Sequence, residues 1–230
     1  MKSLVFDSGP VITLAVNNLL WLLPELKKQF NGSFIITRSV KQELVDRPLK
    51  IRRFEFEALQ VLKEINSGTL EMTQQGELED KTSRLLELSN RIFSAKGHPL
   101  NILHGAEMES IAAALTYGSE AVVIDERTAR LILEDPNGLH HILQSKLHTK
   151  VRIDKDALRE FEESVRGLKV FRSLELVSIA YEMGLLDIYI AEELPDKTLL
   201  EALVWALRLN GCSIPQQDIQ DVKRLVGVRR

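Results

Sequence analysis

Two aspartates stand where buried strands would end. Asp7 closes the apolar run Leu4-Val5-Phe6 and is followed at once by Ser8-Gly9-Pro10, and Asp125 closes Ala121-Val122-Val123-Ile124. At the carboxyl edge of an open α/β sheet the connecting loops leave a crevice, which is where such sheets bind ligands. Two further acids fall at matching places, Glu43 and Glu107, each in the first turn of a helix that follows a strand or loop. Carboxylates gathered in one crevice repel one another, so the arrangement is reasonable only if cations fill it. Oxygen-only ligands select hard ions, Mg2+ or Mn2+ over zinc. An ion so held activates a water and braces the leaving oxygen of a phosphodiester, with no need of a cysteine, serine or histidine nucleophile. Each acid also has a plainer reading. Asp7 before a Gly-Pro turn suits an Asx-type turn, and a lone glutamate in a first helical turn is favourable to the helix dipole.

The elements that must position these acids follow from periodicity. Leu4-Val5-Phe6 is too short for a helix and too uniformly apolar for an exposed strand, so it reads as a central parallel strand. Ser8-Gly9-Pro10 turns the chain into an apolar helix over about residues 10 to 22. Phe34-Ile35-Ile36 is a second buried strand, and Ser39 with Gln42 forms a capping box that starts a helix at Val40. The pattern then gives a helix from Arg52 to Ile65, a short strand at Leu70 to Met72, and a helix from Glu77 to Phe93 with Leu85, Leu86, Leu88 and Ile92 on its apolar face. A helix from Glu107 to Tyr117 ends at Gly118, the strand to Ile124 follows, and Arg127 to Leu133 is helical. Residues 134–166 hold Pro136, Gly138 and the histidines 140, 141 and 148, and predict an insertion of one or two helices. Beyond it come a strand at Leu168 to Phe171, helices at Leu174 to Met183 and Thr198 to Leu209, and a last helix opened by Ser213-Ile214-Pro215. The alternation argues for a three-layer α/β/α sandwich around a central, mostly parallel sheet. Residues 1–184 then form the main domain, interrupted at 134–166, and 185–230 a C-terminal helical extension.

With 230 residues, 44% hydrophobic and 27% charged, the chain can bury a sizeable core. Its net charge of −3 gives no global basic footprint, so any nucleic-acid contact must come from a local patch. Arg47, Lys50, Arg52 and Arg53, followed by Phe54 and Phe56, form such a patch, and Arg127 and Arg130 lie just beyond Asp125. Their plainer roles are a solvated helix start and ion pairs with Glu126 or Glu134. The single cysteine, Cys212, excludes an internal disulfide and a cysteine-built zinc site, and it suits a reducing compartment. Adjacent histidines point to different sides, so His140, His141 and His148 read as structural or surface residues. Asp7, Pro10, Asn17 and Asn18 interrupt the apolar stretch from Ser3 to Leu23 before it reaches the roughly 20 residues a membrane span needs. A cytoplasmic protein is expected. The apolar faces after Gly184, with Leu199, Leu203, Ala206 and Leu207, must be buried on the chain's own sheet or against a second copy in a homodimer.

Four segments together resemble the PIN-domain family. Leu4-Val5-Phe6-Asp7-Ser8-Gly9-Pro10-Val11-Ile12 resembles its opening, a strand ending in Asp, then a small hydroxyl residue, then an apolar helix. Ser39-Val40-Lys41-Gln42-Glu43-Leu44 is similar to the second motif, and Glu107 to Ala114 followed by Val122 to Arg127 to the third and fourth. Lys169-Val170-Phe171-Arg172-Ser173 resembles the closing strand. The resemblance implies a metal-dependent ribonuclease in which Asp7, Glu43, Glu107 and Asp125 hold Mg2+ or Mn2+, with Glu109 and Glu126 as alternate or supporting ligands. It also implies RNA as substrate and an antitoxin or other protein as a partner, and the hydroxyl of Ser8 with the basic side chains Arg52, Arg53, Arg127 and Arg130 are the candidate contacts for that RNA. Gly9 stands where the family often has serine, threonine or asparagine, which leaves Ser8 as the hydroxyl for orienting water. The chain is longer than a compact toxin of this class. The competing reading is a PIN scaffold with weak or no catalysis that binds RNA or a protein. A haloacid-dehalogenase-like phosphatase fails, because that chemistry needs a second Asp where Gly9 stands.

Overall fold

The computed structural model describes residues 2–74, 76, 78–190 and 197–215. Its centre is a five-stranded, all-parallel sheet of β1 (Ser3–Phe6), β2 (Ser33–Ile36), β3 (Glu71–Met72), β6 (Ala121–Val123) and β8 (Lys169–Phe171), in the order β3-β2-β1-β6-β8. The chain winds outward from β1 through β2 to β3, then returns to lay β6 on the other side of β1. The crevice between the ends of β1 and β6 is therefore the switch point of the winding, the place where open α/β sheets take ligands.

Alternation along the strands divides the core in two. Leu4 and Phe6 of β1, Phe34 and Ile36 of β2, and Ala121 and Val123 of β6 face one layer. Val5, Ile35, Val122 and Ile124 face the other. Because successive side chains of a strand point to opposite faces, an apolar residue at every position demands helices on both sides. The first layer comprises α1 (Ser8–Val16), α2 (Leu22–Phe30), α4 (Glu55–Asn66), α10 (Ser173–Glu182) and α11 (Lys197–Leu209). The second comprises α5 (Glu79–Ile92), α6 (Gly105–Tyr117), α7 (Arg127–Glu134), α8 (Pro136–Leu147) and α9 (Lys155–Ser164).

The single helix expected over residues 10 to 22 is two helices. α1 stops at Val16, Asn18 takes a left-handed φ of 59°, and α2 starts at Leu22. Asparagine tolerates that conformation better than most residues, which makes the Asn17-Asn18 pair a corner. The helix after β2 does not begin with a capping box at Ser39. Thr37 is the N-cap, accepting from the Val40 amide at 3.3 Å, so α3 spans Arg38–Lys41 and passes into a π-helical turn at Gln42–Asp46. Residues 134–166 contain α8 and α9 with a strand between them, β7 (Val151–Ile153). β7 pairs antiparallel with β4 (Phe93–Ala95), which also pairs with β5 (His98–Pro99), a small second sheet that periodicity did not predict. His140 stacks on Phe93 and its Nε2 meets the Val151 carbonyl at 2.8 Å, which gives it a structural role. In α11, Leu200, Leu203, Val204 and Leu207 are buried in the chain's own first layer. The helix expected to open at Ser213 falls mostly outside the described residues. Among the described residues no helix is long and apolar enough to cross a membrane.

Candidate active site

Asp7 sits where β1 ends and α1 begins. Its amide continues the sheet by donating to the Val123 carbonyl at 3.0 Å, and its carboxylate caps α1, Oδ2 accepting from the Gly9 amide at 3.4 Å. The Asx-type turn is therefore present, yet it accounts for only one of the two oxygens. Oδ1 is buried with no hydrogen-bond partner, and the residue is 4% exposed. Burial pushes the Asp7 pKa from 3.8 up to about 7, the amides of Ser8 and Gly9 oppose that rise, and the charges of Glu107 and Glu43 add to it. A buried carboxylate lacking a donor, with two more carboxylates close enough to disfavour its charge, is a site short of positive charge.

Glu43 lies in the π-helical turn, an uncommon conformation that recurs at functional sites. Ser8 Oγ donates to its Oε2 at 2.8 Å, so the hydroxyl expected to orient water instead orients a carboxylate. Glu107 occupies the first turn of α6 and accepts from the His104 amide at 3.0 Å, closing that helix's start. Glu109 faces elsewhere. Its Oε2 accepts from Thr37 Oγ1 at 3.1 Å and from the Ser39 amide at 3.2 Å, tying α6 to the start of α3. Of the two, Glu107 is the one whose charge acts on Asp7.

Asp125 is the most firmly held of the acids. It is 2% exposed, and its Oδ1 accepts from the Ser173 amide at 2.8 Å. Its Oδ2 accepts from Thr13 Oγ1 at 2.7 Å and Ser173 Oγ at 2.8 Å. A carboxylate offers about four acceptor positions, so these three donors leave one, and the Cys212 thiol is the neighbour placed to use it. Gly9 separates Asp125 from Asp7. A Cβ built on Gly9 would lie 3.4 Å from the Asp125 Cβ and 3.7 Å from Asp7 Oδ2, so the two acids flank one glycine.

The remaining expected residues divide by exposure. Glu126 caps α7, accepting from the Ala129 amide at 2.6 Å. Arg52, Arg53 and Arg127 are exposed. Arg130 is 8% exposed and donates to the Ser213 carbonyl at 3.5 Å, so it serves the chain's last described turn.

Thr13, Ser173 and Cys212 are site residues that sequence reasoning missed. Cys212 is buried against Asp125 and Ser173, and burial together with the Asp125 charge pushes its thiol up to about 12, so it stays protonated and can donate. The available signal was Thr13, a hydroxyl on an otherwise apolar face.

Among the described residues, no three His, Cys, Asp or Glu side chains are drawn together as a ready-made metal shell. Asp7, Glu43 and Glu107 are near enough to interact electrostatically, while Asp125 turns its oxygens toward α1 and α10. The donor set, all oxygen and short of positive charge, nonetheless fits a hard divalent cation.

An acidic crevice at the switch point of a three-layer, all-parallel α/β sandwich is a nuclease-type arrangement. A family model described as a PIN domain matches residues 3–140, more than half of the 230, and the chain belongs to that family. PIN domains are commonly nucleases and generally use divalent metal ions. No curated protein matches the chain.

Proposed function

We propose that the protein is an endoribonuclease that hydrolyses RNA phosphodiester bonds with Mg2+ or Mn2+ held by Asp7, Glu43, Glu107 and Asp125. The observation that carries this reading is the donor-less, buried Oδ1 of Asp7 at the end of the central strand. When bound, the ion supplies an activated water for attack at phosphorus and offsets the charge that develops there. The chain's own groups set the stage for it. Ser8 holds Glu43 through one hydrogen bond, and the His104 amide holds Glu107 through another, so each side chain can turn toward Asp7 for the loss of a single bond. Thr13 and Ser173 fix Asp125 at the rear of the site. Arg52, Arg53 and Arg127 are exposed cations for the RNA backbone, and Glu109 and Glu126 act as structural supports.

Cleavage of a structured RNA with Mn2+ should fall by a factor of about 100 or more when Asp7→Asn and Asp125→Asn are combined, in keeping with the loss of a metal-assisted electrostatic contribution. Equal cleavage by the double variant would mean a contaminant and end the assignment. A second reading, a PIN scaffold that binds RNA or a protein without cutting, is favoured by the absence of a ready metal shell among the described residues. Metal-independent RNA binding with no cleavage in Mg2+ or Mn2+ would select it.

A further inference from the structure

Beside Glu43 the surface opens into an apolar cavity of about 350 Å³ between α1, the π-helical turn and α4. Ile12 and Val16, Ile51 and Phe54, and Ala58 and Val61 form half of its wall, to which the charged residues Glu43, Arg47 and Glu57 also belong. Ile12 is 43% exposed, Ile51 50% and Phe54 39%, so the rim presents apolar surface that the described chain leaves uncovered. Since Glu43 accepts from Ser8, the neighbour of Asp7, the cavity and the acidic crevice share a side chain.

The rim's charge says what kind of occupant it suits. From Arg47 to Phe54 the chain carries Arg47, Lys50, Arg52 and Arg53 and no acid. All four cations are exposed, and among the described residues none makes an ion pair. The Arg53 guanidinium lies 5.3 Å from the centre of the Phe54 ring. An apolar slot with an aromatic and a stacked guanidinium at its mouth, bordered by unpaired cations, matches a nucleotide: an apolar face for the base and positive charge for the phosphates. The volume is at the lower end of small-molecule sites, the scale of one ring system rather than of a docked domain.

We propose that this cavity is a nucleobase pocket, which takes one unpaired base of single-stranded RNA next to the scissile phosphate while Arg47, Arg52 and Arg53 hold the adjoining backbone. The proposal rests on the nuclease reading for the identity of its ligand, and it makes this pocket the determinant of where the strand is cut. An unpaired base is required, because a base locked in a duplex has no free face to enter the slot.

The test is equilibrium binding of the full chain, without divalent cations, to a fluorescent single-stranded RNA and to the same RNA with one abasic site moved along it. One abasic position should weaken binding about tenfold, the size of one lost base–aromatic contact. Phe54→Ala and Ile51→Ser, both at exposed positions, should abolish that difference. Arg52→Gln and Arg53→Gln should weaken intact and abasic RNA alike and flatten the salt dependence. If every abasic RNA binds like the intact one, or if Phe54→Ala preserves the difference, the pocket assignment is overturned. It is equally overturned if a synthetic acidic amphipathic peptide binds tightly and loses binding with Phe54→Ala while RNA does not, since the groove then receives a protein segment. Base-dependent binding without cleavage in Mn2+ would retain the pocket and remove the nuclease, whereas cleavage lost on Asp7→Asn with a flat abasic profile would do the reverse.

Discussion

At the scale of single residues, Asp7 joins a structural role to a chemical one. Its carboxyl caps α1 through one oxygen and leaves the other bare. Folding raises its pKa from 3.8 to about 7, so in that interval the folded chain holds a proton that the unfolded chain has released. Stability from this group is complete below the unfolded value, declines as pH rises through the interval, and is lost above about 7. Asp7→Asn keeps a good cap and removes the buried charge. In metal-free buffer at about pH 8 the variant should be more stable than the parent by up to about 4 kcal/mol, and the gain should vanish near pH 4. Urea melts at the two pH values check this. A gain equal at both would show that ionisation of Asp7 is not its source. Mn2+ should in turn raise the melting temperature of the parent at the higher pH and leave Asp7→Asn unmoved, because only a state with the carboxylate present gains from binding. Asp7 and Asp125 were legible from sequence because each ends an apolar run, and a strand end fixes where its last side chain points. The Glu107 and Glu109 pair was not, since the two lie on one helix and only the distant Thr37 and Ser39 decide which faces α3.

At the scale of elements, Asp125 depends on three pieces of chain remote from it in sequence. Thr13 comes from α1, Ser173 from the start of α10, and Cys212 from the turn after α11. That turn is fastened at several points. Asn210 donates to Asn17 Oδ1 at 2.8 Å, Arg130 donates to the Ser213 carbonyl, and Gly211 has φ of 140°. A Cβ on Gly211 would stand 2.9 Å from Thr13 Oγ1, the hydroxyl that Asp125 uses. Gly211→Ala is therefore expected to cost about 1–3 kcal/mol, from backbone strain and the disturbed buried hydrogen bond. Ser173→Ala, which removes one donor and keeps the backbone amide, should cost about as much without the strain. Thermal melts rank both, and parent-like stability for Gly211→Ala would show that this turn does not press on Thr13. Sequence periodicity located α11 well, yet nothing local in Gly211-Cys212-Ser213 indicates the carboxylate it covers. The same limit explains α3: both Thr37 and Ser39 are good cap residues, and the choice between them is made by where β2 ends and by Glu109 drawing the Ser39 amide. The corner at Asn17-Asn18 left a trace in the sequence, but the apolar residues on either side continue a helical pattern across it.

At the scale of the whole molecule, the sandwich reads well from its central strands and from the helices of both layers, and poorly where the small second sheet joins the second layer. Apolar runs at 4–6, 34–36 and 121–124 announce buried parallel strands, and the observed sheet uses all of them. β4, β5 and β7 are two or three residues each, too short for a periodic signal, and while β5 is the near arm of a tight hairpin with β4, β7 reaches β4 across a long sequence separation. Their effect on residues 134–166 is large. Phe161 is 0% exposed, Ala157 1%, Leu139 2% and Val151 2%, all within the same cluster as Val5 and Ile124 of the central sheet. β7 also satisfies the ladder edge of β4, whose Phe93 is itself fully buried. A peripheral elaboration would contribute little to the stability of the rest, whereas a segment that completes the second layer cannot leave without exposing α5 and β4. Phe161→Ala is accordingly expected to destabilise the entire protein by about 3–5 kcal/mol, as truncation of a fully buried aromatic does. The loss should be one cooperative transition, with the near-ultraviolet signal of Trp21 and Trp205, which lie in the opposite layer, melting together with the far-ultraviolet helix signal. Two separated transitions would instead mark residues 134–166 as a unit that unfolds alone, leaving the crevice of Asp7 and Asp125 intact without it.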